Sequence, residues 1–376
     1  MINAMIDTTK SMTERMSLSA IRKYNTENTK YSYRMSILLE SLYKASQLLD
    51  NKELYNYVDK MLNYYIPEDG VILTYNLEEY SMDQVRMGNL ILEFYKKTGQ
   101  KKFKTALDLF YKQLQTQPRT PSGGFWHKKK HENQMWLDGL YMQAPFFVKY
   151  TMEFGNLSAC LEDVVHQFEL VYEKTRDEKT GLLHHGWDES CLSPWSDPKT
   201  GRSPEVWARA LGWYVIALAD LLEIIPKEYK EYRDRLLKLA LELAPVVLRY
   251  QDAESGMWWQ VVDKPAVGKN YLESSATSMF IYFFAKMHRL GFLDSSYRLV
   301  AEKGFAGMCE RDLTCDPDGE LHLHDTCKTA CLGMAKDKEP VRSANFEYYT
   351  EYEPRVTDNL HGVAMFIWAS IELEFV

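Results

Sequence analysis

Cysteine is scarce in this sequence, and long hydrophobic runs are missing. Six cysteines are scattered over 376 residues, too few for a disulfide framework in a chain of this length, so we expect reduced thiols in a cytoplasm. No uninterrupted apolar stretch reaches the roughly 18 residues of a membrane-spanning helix. The N-terminal segment also lacks the apolar core of a signal peptide. These absences predict a cytoplasmic protein without a membrane partner.

An excess of basic residues is also missing. The 45 Lys and Arg are outnumbered by 53 Asp and Glu, which gives a net charge of −8. A general nucleic-acid binder carries a basic surface instead, so we expect no nucleic-acid partner. Linkers rich in Ser and Gly and low-complexity tracts are absent too, and we expect residues 1–376 to form a single domain.

Helical periodicity is abundant, and it repeats. Apolar residues at three-to-four spacing predict five helical hairpins with tight turns, over residues 34–49 with 53–65, 87–98 with 101–114, 137–153 with 157–172, 206–224 with 229–250, and 272–290 with 295–308. A last helix over 361–374 lacks a following partner, which the helical segment over 8–24 can supply. The pattern predicts an all-α fold, a closed (α/α)6 toroid of six hairpins with short strands at the rim. Alternating aromatics at 257–262 predict a small β-hairpin there.

Two aspartates stand where predicted helices begin. Asp138 opens a helix rich in apolar residues next to Trp136, where burial would favour the protonated carboxyl group. Asp83 likewise precedes a helix. The alternative for both is an ordinary helix N-cap. Should neighbouring helix starts face one cavity, the two would form a carboxylate pair, which is typical of glycoside hydrolysis and of hydration chemistry.

Histidine, arginine and tryptophan recur at the same helix entries. His127 and His185 lie in aromatic loops and can contact sugar hydroxyl or carboxylate groups, although a lone histidine is more often structural. Arg209 and Trp213 lie one helical turn apart. An arginine in an apolar wall needs an anion, either a protein carboxylate or a uronate substrate.

Two further clusters are interpreted as ordinary surface. His322, His324, Cys327 and Cys331 lack the paired spacing of a zinc site, so we expect a polar loop and no metal. The basic run 128–130 could attract an anionic oligosaccharide, but a solvated loop is favoured.

Five motifs together resemble the unsaturated rhamnogalacturonyl hydrolases of glycoside hydrolase family 105. The resemblance extends from about Tyr33 to the last helix, and its most specific block is Trp-Leu-Asp-Gly-Leu-Tyr-Met. The motifs are Gly-Gly-Phe-Trp-His-Lys (123–128), Asn-Gln-Met-Trp-Leu-Asp-Gly-Leu-Tyr-Met (133–142), His-Gly-Trp-Asp (185–188), Trp-Ala-Arg-Ala-Leu-Gly-Trp-Tyr (207–214) and Tyr-Leu-Glu-Ser-Ser-Ala (271–276). Residues 309–345 match the family poorly, whereas Tyr348-Tyr349 and Asp358-Asn359-Leu360-His361-Gly362-Val363 again resemble it.

The resemblance implies an (α/α)6 toroid that removes a 4,5-unsaturated uronic acid from the non-reducing end of an oligosaccharide left by a polysaccharide lyase. Asp138 matches the general acid/base of the family and Asp83 its second carboxylate. The residues that match pocket positions are Tyr33 (or its neighbour Tyr31), His127, Trp136, His185, Arg209 and Trp213. The implied chemistry is hydration of the enol ether, which needs neither a metal nor a nucleotide cofactor.

Three other functions compete with this one. The first is an unsaturated glucuronyl hydrolase that acts on glycosaminoglycan or ulvan fragments with the same fold and chemistry. The second is a catalytically silent toroid that binds oligosaccharide or a protein. The third, an isoprenoid enzyme, would need an aspartate-rich metal cluster, and none is apparent. The expected assembly is a monomer or a weak dimer.

Overall fold

The structure, a computed structural model, describes residues 9–333 and 343–376. Long α-helices dominate it, and their bounds agree with the periodicity to within a few residues. They are α1 (Met12–Lys23), α2 (Tyr33–Leu48), α3 (Lys52–Tyr65), α4 (Gly88–Thr98), α5 (Lys101–Thr116), α6 (Leu137–Phe154), α7 (Leu157–Thr175), α8 (Ala208–Ile224), α9 (Lys230–Arg249), α10 (Ser274–Arg289), α11 (Ser295–Asp312) and α12 (Leu360–Glu374).

The even-numbered helices form a closed inner ring. Each contacts the next in the order α2, α4, α6, α8, α10 and α12, and α12 returns to α2. Each odd-numbered helix packs outside one inner helix, and α1 covers α12. Helices α6, α8 and α10 are buried along most of their length, as expected for helices surrounded by others. The predicted (α/α)6 toroid is confirmed.

The two ends of the described chain close the ring together. The Thr13 hydroxyl donates to Ser370 Oγ at 2.8 Å, and Glu374 accepts the backbone N–H groups of Met12 at 2.8 Å and Thr13 at 3.0 Å. A carboxylate at a helix N-terminus satisfies free N–H groups and complements the helix dipole. The sixth hairpin is therefore built from residues more than 350 positions apart.

Short antiparallel strand pairs lie between the helices. Strand β1 (Gln134–Trp136) pairs with β2 (Gly186–Asp188), β3 (Leu313–Cys315) with β4 (Leu321–Leu323), and β5 (Thr326–Cys327) with β6 (Arg355–Val356). The predicted hairpin at 257–262 is wrong. That segment makes only isolated bridges, Trp259 with Leu272 and Val261 with Trp207. Most of its side chains are buried, because it lies between the entries to α8 and α10 instead of folding back on itself.

The C-terminal ends of the inner helices meet at the opposite end of the toroid from the strand pair β1–β2. A cavity of about 440 Å³ there is lined by charged residues. Lys286 contacts Asp220 at 2.8 Å and Glu223 at 2.7 Å, and Arg289 contacts Glu372 at 2.8 Å. Within the described ranges, no helix combines the length and the apolar character that a membrane span requires.

Candidate active site

The N-terminal ends of the inner helices share one end of the ring. Tyr33 begins α2, Asp138 is the second residue of α6, and Arg209 is the second residue of α8. Asp83 lies in a 3-10 turn (Met82–Val85) just before α4. Helix N-termini carry partial positive charge and unpaired N–H groups, so this end of the toroid favours anions.

Asp138 is not a helix cap. Helix α6 is entered through Trp136 without a side-chain cap, so the N-cap alternative is wrong for this residue. Asp138 Oδ2 lies 3.2 Å from His185 Nε2. The two atoms are close but not aligned for a hydrogen bond, and each is buried without another partner among the described residues. The carboxyl group is thus available for chemistry instead of being used by the fold.

Asp83 is held by a lysine. Lys128 Nζ donates to Asp83 Oδ2, and the lysine side chain is only 24% exposed. The predicted solvated loop is therefore wrong at Lys128, because this amine lies against a carboxylate. Burial raises the pKa of the Asp83 carboxyl, but the charge and hydrogen bond of Lys128, together with His127 and His131, outweigh burial and hold that pKa below its ordinary value. Asp83 is therefore ionised at neutral pH.

His127 lies between the two aspartates. Its ring stacks on Trp136 with centroids 4.3 Å apart, and its Nε2 is 3.6 Å from Asp83 Oδ1. Burial lowers the pKa of His127 to about 4, although Asp83 and Asp138 both oppose this shift. The imidazole is therefore neutral at pH 7, and its contact with Asp83 is not an ion pair.

Arg209 offers one side of its guanidinium to the site. Nη1 donates to the Cys327 carbonyl at 2.6 Å and to Ser275 Oγ at 3.1 Å, and it lies 3.8 Å from Glu273 Oε1. Nε and Nη2 are buried and have no partner among the described residues. These two groups form one bidentate edge of the guanidinium, which matches the spacing of carboxylate oxygens.

Two aromatic predictions differ in their surroundings. The Tyr33 hydroxyl lies 2.6 Å from His361 Nε2, and burial followed by Asp83 raises the pKa of Tyr33, with Asp138 adding to the shift and Arg209 opposing it. Tyr31 instead donates to the Gln84 carbonyl. Tyr33 is therefore the tyrosine that lies near both aspartates. Trp213 is buried and stacks on Tyr141 with centroids 5.0 Å apart.

The sequence does not predict several contacts that complete this site. Its patterns place Lys128 in solvent, and they indicate no site role for His361, Glu273 or Tyr349. His185 Nδ1 lies 2.7 Å from the Tyr349 hydroxyl. Tyr349 and His361 stand in short family-like stretches, which was the only available signal for them.

The poorly matching segment 309–345 contributes through its backbone. Cys327, on β5, supplies the carbonyl that accepts from Arg209. The expected polar loop is wrong for two of its residues, because His322 lies on β4 and Cys327 on β5. His322 Nδ1 lies 2.6 Å from Asp358 Oδ2, and His324 Nε2 lies 2.7 Å from Thr314 Oγ1. Over residues 9–333 and 343–376, no group of three or more His, Cys, Asp or Glu side chains is suited to a metal ion. Residues 334–342 lie outside the described part.

Comparison with known proteins shows which families this chain resembles. A family model described as Glycosyl Hydrolase Family 88 matches residues 4–376. A solved family 105 glycoside hydrolase of C. acetobutylicum ATCC 824 is 38% identical, with a TM-score of 0.92 over 98% of this chain and 100% of that one. The 24.9 kDa protein in picA locus of Rhizobium radiobacter is 34% identical over 237 residues, 61% of this chain and 97% of that protein.

A more distant structure shares the fold. The unsaturated glucuronyl hydrolase of Bacillus sp. GL1, described as responsible for the degradation of glycosaminoglycan, is 14% identical with a TM-score of 0.69 over 96% of this chain and 95% of that one. At this identity the likeness shows a common toroid alone.

Proposed function

The chain belongs to Glycosyl Hydrolase Family 88 by its family model and to family 105 by its solved relative, and from this premise we propose that it removes a 4,5-unsaturated uronic acid from the non-reducing end of an oligosaccharide. Membership makes it a glycosidase. The finer proposal is an unsaturated galacturonyl group on fragments left by a rhamnogalacturonan lyase, released by hydration of the enol ether.

The free donor edge of Arg209 is the observation that most favours an acidic sugar as substrate. The Nε and Nη2 edge of Arg209 is buried and unpartnered, and the residue is 1% exposed. A desolvated donor edge costs free energy unless an anion meets it. Nη1 is already used by Cys327 and Ser275, so the free edge suits a carboxylate supplied by the substrate. A neutral sugar has no pair of carboxylate oxygens to match this donor edge.

The two aspartates suit different parts of the reaction. Asp83 is paired with Lys128 and has a lowered pKa, so it is a poor proton donor and serves to hold the sugar or to orient water. Asp138 has no cationic side chain hydrogen-bonded to its carboxyl group among the described residues, and it can cycle between acid and base. This division of roles resembles other sites in which the surroundings of two carboxyl groups differ.

The proposed reaction keeps every proton accounted for. Asp138 transfers its proton to C4 of the enol ether while water adds its oxygen to C5, and the proton released by that water returns to the Asp138 carboxylate. The product is a hemiketal at C5. As the ring opens, the C5 hydroxyl proton passes to the ring oxygen, which leaves a ketone at C5 and a hemiacetal at C1. The C1 hydroxyl proton then passes to the aglycone oxygen as the bond between C1 and that oxygen breaks, which leaves an aldehyde at C1 and a free aglycone. Helix N-termini and Arg209 stabilise the negative charge of the uronate throughout.

Initial rates on two disaccharides test the proposal. Unsaturated galacturonyl-rhamnose should be consumed fastest. Its consumption is measured as the loss of the ultraviolet absorbance of its conjugated double bond. Unsaturated glucuronyl disaccharides from glycosaminoglycans are the second arm. Faster turnover of these would replace the galacturonyl assignment with the glucuronyl one. Binding of both by calorimetry without any turnover would instead support a silent binding toroid.

A further inference from the structure

The structure points to a role for Tyr349 that deepens the proposed reaction and rests on Asp138 as its acid/base. We propose that Tyr349 is a positioning residue: its hydroxyl donates to His185 Nδ1, so that the ring hydrogen stays on Nε2, the nitrogen that lies 3.2 Å from Asp138 Oδ2. The acidic proton of Asp138 is then confined to Oδ1, the oxygen left for substrate and water.

The three side chains form a buried chain of contacts. Tyr349 Oη lies 2.7 Å from His185 Nδ1, and His185 Nε2 lies 3.2 Å from Asp138 Oδ2. Tyr349 and His185 have no solvent exposure, and Asp138 is 9% exposed. The contact with His185 is the only hydrogen bond of the Tyr349 hydroxyl within the described residues.

The tautomer of His185 follows from its two neighbours. A neutral imidazole carries one hydrogen, on one of its two nitrogens. When Asp138 is ionised, a bare Nε2 would place its lone pair against those of Asp138 Oδ2 at 3.2 Å, which is repulsive. In that state Nε2 carries the hydrogen and Nδ1 accepts one. The only group that reaches Nδ1 in the described structure is the Tyr349 hydroxyl.

The surroundings hold both rings in this state. Burial raises the pKa of Tyr349 well above its ordinary value, with nearby Tyr348, Cys331, Asp138 and Glu205 adding to the shift, so the phenol keeps its hydrogen. The His185 ring lies against Trp207 at 4.7 Å and Trp136 at 5.6 Å between centroids.

The tautomer of His185 decides which carboxyl oxygen of Asp138 carries the proton. Oδ2 has no solvent contact, whereas the side chain as a whole keeps 13% exposure. As long as Tyr349 keeps the hydrogen of His185 on Nε2, a proton on Oδ2 would oppose a donor with a donor. The proton of Asp138 is then on Oδ1, where it can be given to carbon and recovered from water.

Removing one oxygen atom tests the role. Tyr349→Phe keeps the ring that stacks on Trp207 at 5.9 Å and deletes only the hydroxyl. We expect kcat to fall roughly 10-fold to 100-fold, part of the 10²–10⁴ that positioned acid/base groups provide, with KM within about twofold because the hydroxyl is placed against His185 and not against substrate. Tyr348→Phe is the matched control, since the Tyr348 hydroxyl binds Glu353 and Cys331 instead of the site.

Nitrogen-15 NMR of the histidine side chains reports the tautomer directly and needs no substrate. The His185 resonance, assigned by its loss in His185→Asn, should show hydrogen on Nε2 alone in the wild type and a mixed population in Tyr349→Phe. Hydrogen on Nδ1, or on both nitrogens, in the wild type would overturn the proposal, as would full activity in Tyr349→Phe. Absence of turnover by the wild type would count against the proposed function instead and leave the tautomer measurement decisive.

Discussion

The Asp138 carboxyl group combines little exposure with an oxygen that has no hydrogen-bond partner in the described part of the chain. Its neighbour Asp83 differs because a lysine neutralises it. At the residue scale, therefore, the partners of a side chain differ where its type does not, and the different tasks that we propose for these two aspartates rest on that difference. The sequence could place both at helix starts, but it could not show which one Lys128 would reach.

Asp138→Asn should lower kcat at least 100-fold on an unsaturated uronyl disaccharide, because an amide cannot cycle a proton and acid/base catalysis contributes about 10²–10⁴. Loss of the ultraviolet absorbance of the substrate measures this. Asp234→Asn is the control, since Asp234 is an exposed residue of α9. Near-normal turnover by Asp138→Asn would remove Asp138 from its assigned role.

Lys128→Met should change how the enzyme responds to acid. Lys128 lowers the pKa of Asp83 against the effect of burial, so its removal raises that pKa. In the wild type the ionised Asp83 contributes stability above its unfolded pKa of about 3.9, and this is lost as pH falls through the lower folded pKa. The ionised form of Asp83 is also the form that we propose holds the sugar or orients water. The acid limb of the pH–rate profile should therefore move to higher pH in the variant.

Lys129→Met provides the comparison for that experiment. The neighbouring lysine is 55% exposed and lies 3.6 Å from Glu78, away from Asp83. The pH–rate profile of Lys129→Met should coincide with the wild-type profile. Identical acid limbs in all three proteins would show that the Lys128 ion pair does not control the ionisation of Asp83.

At the scale of elements, the entry to α10 connects a helix, a strand and the site. Glu273 is the N-cap of α10, where it accepts from Ala276 N at 2.6 Å, and it also accepts from Cys327 N on β5 at 2.9 Å. Its Oε1 lies 3.8 Å from Arg209 Nη1. The residue is fully buried, so its charge balances the buried guanidinium.

Glu273→Gln should therefore destabilise the fold by about 2–4 kcal/mol, because a buried arginine loses its counter-charge and an amide N–H faces other donors. Urea unfolding measures the change, and KM should rise as Arg209 loses its support. Asp294→Asn tests the capping effect alone, since Asp294 caps α11 at the surface and Asn caps as well as Asp. Equal losses in both variants would contradict a special role for Glu273.

The irregular elements show where sequence patterns stop being informative. Helix bounds were predicted within a few residues because an apolar face repeats every turn regardless of its partner. The aromatic alternation at 257–262 predicted a hairpin, yet its backbone bonds go to Val206, Ala208 and Tyr271 instead. Pairing of short segments depends on which loops arrive beside them, and local alternation does not carry that information.

At the scale of the whole molecule, the ring is completed by contacts between its first and last described helices. Thr13, Ser370 and Glu374 join α1 to α12 through hydrogen bonds. A toroid depends on each inner helix having two neighbours, so this junction should influence the stability of the entire ring and leave the catalytic groups in place.

Thr13→Val keeps the shape of the side chain and removes its hydroxyl. We expect the free energy of unfolding to fall by about 1–3 kcal/mol, the cost of leaving a buried acceptor unsatisfied, with kcat and KM unchanged. Thr116→Val is the matched control, because the Thr116 hydroxyl bonds only within its own helix α5. A Thr13→Val protein as stable as the control would show that the junction is not held by these bonds.

The amino-acid sequence by itself determined the helices, their pairing into hairpins and the positions of the polar motifs at helix entries, since each depends on residues a few positions apart. The tertiary structure alone decided which groups meet. Tyr349 reaches His185 across 164 residues and Cys327 reaches Arg209 across 118, and Lys128 finds Asp83 instead of solvent. These contacts exist because closing six hairpins into a ring brings distant loops to one end, and the hairpin pattern that predicts the ring does not specify which side chains meet there.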